Sequence, residues 1–137
     1  MSPAIEPSTG RMPVPLAQKI SAEDTARVIR AFYDTLRVDA ELGHFFAHIE
    51  DFSAHEKLII AFWRTAMGDR DAEPAPVDML GKHLPLSLNS AHFERWLQVF
   101  GQTLSGQLPP ELADQWLKMA QGIAATLARR CGVSVAI

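Results

Sequence analysis

From Ser21 onward the apolar residues recur at helical spacing. Ile29, Phe32, Tyr33 and Leu36 fall at i, i+3, i+4 and i+7, a single buried stripe. Ser21 precedes it as a capping residue, with Glu23 and Asp24 suited to the positive end of the helix dipole. A short segment from Asp39 to Ile49 follows, apolar at Leu42, Phe45, Phe46 and Ile49 and broken at Gly43. Ser53 and Glu56 have capping-box spacing and predict a helix start there, carrying His55, Ile59, Phe62, Trp63 and Ala66 on one face and ending at Gly68. Residues 69–78 are polar, contain Pro74 and Pro76, and predict a loop. The stretch 77–84 admits at most two helical turns before Pro85. A further helix is expected from about Ser90, with Phe93, Trp96, Leu97, Phe100 and Leu104 inward. Pro109-Pro110-Glu111 opens the last one, whose stripe is Leu112, Trp116, Met119, Ile123 and Leu127. No segment sustains a two-residue alternation, so the fold class is all-α.

Composition narrows this picture. At 137 residues the chain fits one domain, and 47% hydrophobic residues suffice for a real core. Residues 1–20 hold four of the nine prolines and read as an extended, disordered N-terminal arm. The globular domain is then 21–131, with a C-terminal tail over 132–137. A net charge of −3 without a basic stripe argues against nucleic acid as a partner. The most apolar run, Leu58 to Trp63, is far too short to span a bilayer, so no membrane association is expected. Cys131 is the single cysteine; it cannot form an intrachain disulfide, and a cytoplasmic location fits.

The candidate chemistry lies in polar side chains on apolar faces. Tyr33, the only tyrosine, sits on the buried stripe of the first helix, His55 on the inward face of the third apolar segment, and Trp96 on the inward face after the loop. Each alone reads equally as a core residue with a satisfied polar atom. His83 differs in context: it follows a loop, occupies a short helical segment, and is flanked by Leu80, Leu84 and Leu86. An imidazole in such an apolar wall suits axial ligation of haem iron. A non-haem metal cluster drawn from His44, His48, His55 and His92 is an alternative, although neither an HExxH nor a CxxC motif is present. A helical interaction module with an aromatic core is a third reading. No glycosidase-type carboxylate pair, Ser/His/Asp set or phosphate-cradling Gly-rich loop stands out.

Four linked blocks go further: AFYDTLRVDAELGHFF, HEKLIIAFW, GKHLPL and HFERWLQVF. In this order and spacing, over about residues 21–130, the chain resembles the group III truncated haemoglobins. The resemblance implies an abbreviated globin fold, a two-over-two helical sandwich around haem b. It places His83 as the proximal iron ligand and Tyr33, His55 and Trp96 as distal groups that stabilise the bound ligand. Phe46 matches the haem-stacking phenylalanine, and Phe32, Ile59 and Trp63 match apolar wall positions. Leu80, Leu84, Phe93 and Phe100 complete the expected haem contacts. Two features depart from the family pattern: His44 stands where proline is expected, and the stretch from His83 to Trp96 is about one residue shorter. The implied ligands are O2, NO, CO or peroxide, with retention or redox chemistry (NO dioxygenase or peroxidase-like) favoured over bulk O2 transport. An electron-donating reductase is the expected protein partner, and a monomer the expected state. Lys82 either stays in solvent or reaches a haem propionate.

Overall fold

A computed structural model describes residues 14–72 and 82–133, without the Leu84 side chain. Among the described residues the secondary structure is helical throughout. Four α-helices, α1 (Ala22–Arg37), α2 (Phe52–Ala66), α3 (Ser90–Gln107) and α4 (Pro110–Arg130), are joined by short 3-10 turns at Leu16–Gln18, Gly43–Phe46 and Leu84–Leu86. Packing is most extensive between α3 and α4, followed by α1 against α3 and α1 against α2. The helices thus cross in two layers about a shared aromatic centre.

The local signals explain the helix ends. Ser21 Oγ accepts from the Asp24 amide and starts α1. For α2 the structure corrects the expected start: Asp51, not Ser53, is the cap, its carboxylate accepting from the Ala54 amide. Both residue types cap well, and the aspartate two positions earlier lengthens the helix by about half a turn. Asn89 and His92 form a reciprocal capping box at α3, and Pro110 opens α4 in its first turn. Gly68, with φ of 91°, follows the end of α2 as expected. Helical geometry at Lys82 and His83 passes into the Leu84–Leu86 turn, so Pro85 sits inside the turn instead of ending it.

Gly43 has a different role from the break read in the sequence. A Cβ there would lie 2.7 Å from the Arg37 carbonyl oxygen, so only glycine lets the Gly43–Phe46 turn sit this close to the end of α1. Asp39 fixes the same corner. One of its carboxylate oxygens accepts from the Glu41 and Leu42 amides, and the other accepts two bonds from Arg95 of α3. Arg95 thereby holds the Asp39 carboxyl below its ordinary range.

The arm expected over residues 1–20 is described only from residue 14 onward. Residues 1–13 lie outside the described residues, but from Leu16 the chain makes a 3-10 turn and Ile20 is fully buried in the core. The tie is Arg64, a buried cation on α2. It donates to the carbonyls of Ile20 and Ala17 and to Thr25 Oγ1, and it pairs with Asp69. Four prolines suggest an extended segment; they do not reveal that an arginine 44 residues later binds its end. Of the proposed tail, residues 134–137 lie outside the described set, and Val133 packs against Phe93 and its neighbours.

Candidate haem-binding site and its relatives

The site is built where α1 and α2 run side by side. Tyr33 is buried, and its ring meets three others nearly edge-on: Phe32 at 5.3 Å, Phe46 at 5.6 Å and His55 at 5.6 Å between centroids. α1 supplies Phe32 and Tyr33, the glycine-dependent turn supplies Phe46, and the first turns of α2 supply His55. Phe32 leads on to Trp96 and Phe100 of α3, and Phe100 to Trp63 of α2 and Trp116 of α4. Trp96 stacks on Phe100 and is half-buried. The Trp116 indole N–H is buried without a hydrogen-bond partner and lies among the rings of Trp63 and Phe100.

Electrostatics separate the two polar residues. Burial, and after it the Glu56 carboxylate, push the Tyr33 phenol above its ordinary range, so the hydroxyl keeps its proton and acts as a donor. No hydrogen bond from another described residue contributes to that environment. His55 is shifted the other way. Partial burial lowers its pKa first, and the positive charges of Lys82, His48 and His83 add to the effect. The imidazole is therefore neutral over a wider range of pH than in water. His83 is itself half-buried, and its charge is felt at His55.

The structure therefore brings Tyr33, Phe46 and His55 together, and sets Phe32, Trp96, Phe100 and Trp63 as the adjoining wall. Ile59 is half-buried against the same core. Phe93 belongs to a separate cluster with Ala124, Leu127 and Ala128. Leu80 and the Leu84 side chain lie outside the described residues. One residue was missed: Phe52, at the first position of α2, lies 5.5 Å from His55 and 5.8 Å from Tyr33. Its signal was in the chain, since it stands three residues before His55 and hence on the same helix face.

The alternative metal cluster finds no support in the geometry. His92 Nδ1 accepts from the Asn89 amide in the α3 cap, while His44 packs on Phe45. Among the described residues no three His, Cys, Asp or Glu side chains are grouped to hold an ion. No described helix is long and apolar enough to cross a membrane.

An all-α arrangement of four helices in two layers is the architecture of a truncated globin. Structural comparison agrees. The group III truncated haemoglobin of Campylobacter jejuni superposes with a TM-score of 0.70 at 29% identity, over 80% of this chain and 90% of that one. The 2/2 haemoglobin of Synechococcus sp. PCC 7002, a cyanomet structure with covalently attached haem, superposes with a TM-score of 0.74, over 86% of this chain and 98% of that one. At 19% identity it supports the fold alone. No family model matches the sequence. Among curated proteins, the group 3 truncated haemoglobin ctb of Campylobacter jejuni is 30% identical over 116 residues, 78% of this chain and 87% of the relative. The chain belongs to the group III truncated haemoglobins.

Proposed function

We propose that the chain holds haem b with His83 as the proximal iron ligand, and retains a small diatomic ligand on the opposite face beneath Tyr33, His55 and Trp96. The observation that carries this reading is the Tyr33 hydroxyl. It is a protonated donor on a buried ring, without a hydrogen bond from the described protein, beside His55, at which the charge of His83 is felt. A core tyrosine ordinarily satisfies its hydroxyl within the protein. One that does not is suited to a ligand.

The residues fit the group. His83 offers an imidazole from a helical turn, and Phe46, Phe32, Ile59 and Trp63 offer flat or apolar surface for a macrocycle. Lys82, on the helical turn beside His83, is exposed and placed to meet a propionate. When bound, haem supplies an iron that shares charge with a diatomic ligand. Tyr33 would donate its O–H to such a ligand, and His55 and Trp96 would offer their N–H groups to it. A neutral hydrogen bond contributes about 0.5–1.5 kcal/mol and one to a charged acceptor about 1.5–3. Two aligned donors therefore slow ligand loss by roughly two to four orders of magnitude. Retention on this scale opposes bulk transport. It favours sensing, or redox chemistry on O2, NO or peroxide with electrons delivered by a separate reductase.

The test is spectroscopic. Purified protein is expected to show a Soret band that His83→Ala abolishes or shifts to a weakly ligated form, with the helical circular dichroism retained. Colourless protein that fails to take up added haemin would overturn the reading.

A further inference from the structure

α1 and α2 meet in two successive layers near the start of α2. The inner layer is Tyr33 against His55. The outer layer lies one turn away on each helix, Arg37 being four residues after Tyr33 and Phe52 three before His55. The guanidinium carbon of Arg37 lies 3.9 Å from the Phe52 ring centroid, within cation–π range. Among the described residues Arg37 makes no ion pair or hydrogen bond through its side chain, so Phe52 is its one side-chain contact of that kind. Phe52 is half-buried and Arg37 exposed, so the cation covers the ring on the solvent side. Beneath it, Phe52 touches Tyr33, Phe46 and His55. Among the described residues His55 has two ring neighbours, Tyr33 and Phe52, and Phe52 is the one at the N-terminal end of α2.

We propose that Phe52, capped by Arg37, is a positioning residue for His55. The pair holds the imidazole against Tyr33 and sets how readily His55 leaves the pocket to admit a ligand. This inference rests on the haem reading for its kinetic consequence and on the described contacts for its geometry. With Arg37 in place the Phe52 ring is pinned and the outer layer is closed. Without the cation the ring gains rotational freedom, and His55 loses one of the two surfaces that fix its plane.

The experiment compares Arg37→Gln, Arg37→Lys and Phe52→Leu with the parent protein. Its first readout is the nuclear Overhauser effect between the Phe52 ring and the His55 imidazole protons, taken on the diamagnetic ferrous CO form. The second is the bimolecular CO association rate after flash photolysis. Arg37→Gln is expected to weaken the cross-peak and raise the association rate about two- to fivefold, the population factor of an exposed cation–π contact. Arg37→Lys, which keeps a cation, should restore both most of the way. Phe52→Leu should raise the rate further. If it fails to fold, the two variants at exposed Arg37 still decide. An unchanged cross-peak or an unchanged rate in Arg37→Gln overturns the proposal, as does a lysine variant that behaves like glutamine. If the protein takes up no haem, the cross-peak in the protein as purified decides the positioning role alone, and the haem reading fails separately.

Discussion

Replacing Tyr33 by phenylalanine removes one oxygen and leaves every ring contact in place, so it isolates the hydroxyl. In an ordinary core this substitution deletes a hydrogen bond and costs about 0.5–1.5 kcal/mol. Here the ring is 7% exposed and no described residue bonds the hydroxyl. The protein without a diatomic ligand should therefore hold its stability to within about 1 kcal/mol, because no hydrogen bond between described residues is lost. For a domain of this size that is a change of less than roughly 5 °C in the unfolding midpoint. Ligand kinetics should change by more. A phenolic donor to a partly charged acceptor contributes about 1.5–3 kcal/mol, or roughly 10- to 150-fold in dissociation rate. With His55 and Trp96 still present the lower part of that range applies, about tenfold for O2. CO draws far less charge, so its dissociation should change much less. Thermal circular dichroism and stopped-flow displacement of O2 and CO read the two halves separately. A clear fall in midpoint would mean that the hydroxyl is bonded inside the protein. An unchanged O2 dissociation rate would mean that it never reaches the ligand. Either result refutes the reasoning.

The supports of the site carry their own expectations. Gly43→Ala forces a methyl against the Arg37 carbonyl at 2.7 Å, so it should destabilise by about 1–3 kcal/mol in urea unfolding and broaden the Soret band by displacing Phe46. Asp39 has a lower pKa folded than unfolded, mainly through Arg95, so its contribution is present above the ordinary value of 3.8 and is lost as pH falls through the folded value. Asp39→Asn should thus lower stability at neutral pH and flatten the acid limb of a urea-midpoint profile; an acid limb as steep as the parent's would count against the pairing. Arg64→Leu leaves the Ile20 and Ala17 carbonyls and the Thr25 hydroxyl without their donor. It should cost about 2–4 kcal/mol and speed limited proteolysis before Ile20; a parent-like cleavage rate would show that Arg64 does not hold the segment.

The helices were legible because large apolar residues mark them at the right interval. In α1 every residue of the expected stripe is buried. The last helix shows the limit of that rule. Its stripe was read through Leu112, Met119 and Ile123, which are only partly buried. The centre of the interface is instead Ala113, Ala120, Ala124 and Ala128 beside Trp116. Alanine carries little hydrophobic signal, yet it lets α4 approach α3 closely, and these two helices share the most extensive contact. Long-range polar ties were invisible for another reason. Arg95 and Asp39 are 56 residues apart and Arg64 bonds carbonyls 44 and 47 residues before it. A charged residue in a single sequence reads as surface, because nothing local announces a distant partner.

The site reversed this relation between pattern and structure. Pattern alone treated Tyr33, His55 and Trp96 as core residues with satisfied polar atoms, and the spacing of four sequence blocks made them a site. The structure then gave a physical reason to separate the two meanings. Asp39 and Arg64 are polar groups that the protein satisfies itself, with two or more side-chain bonds each, and they fix a corner and the segment before α1. The Tyr33 ring is buried, and no described residue bonds its hydroxyl. A tyrosine hydroxyl that the protein leaves for something else is a local inconsistency of the kind expected where function lies. The Trp116 N–H is the instructive contrast. It too lacks a partner, but it is walled in by rings on α2 and α3 and has no histidine beside it. A donor without a protein partner is read as a ligand site only when a titratable neighbour accompanies it, and at Tyr33 that neighbour is His55.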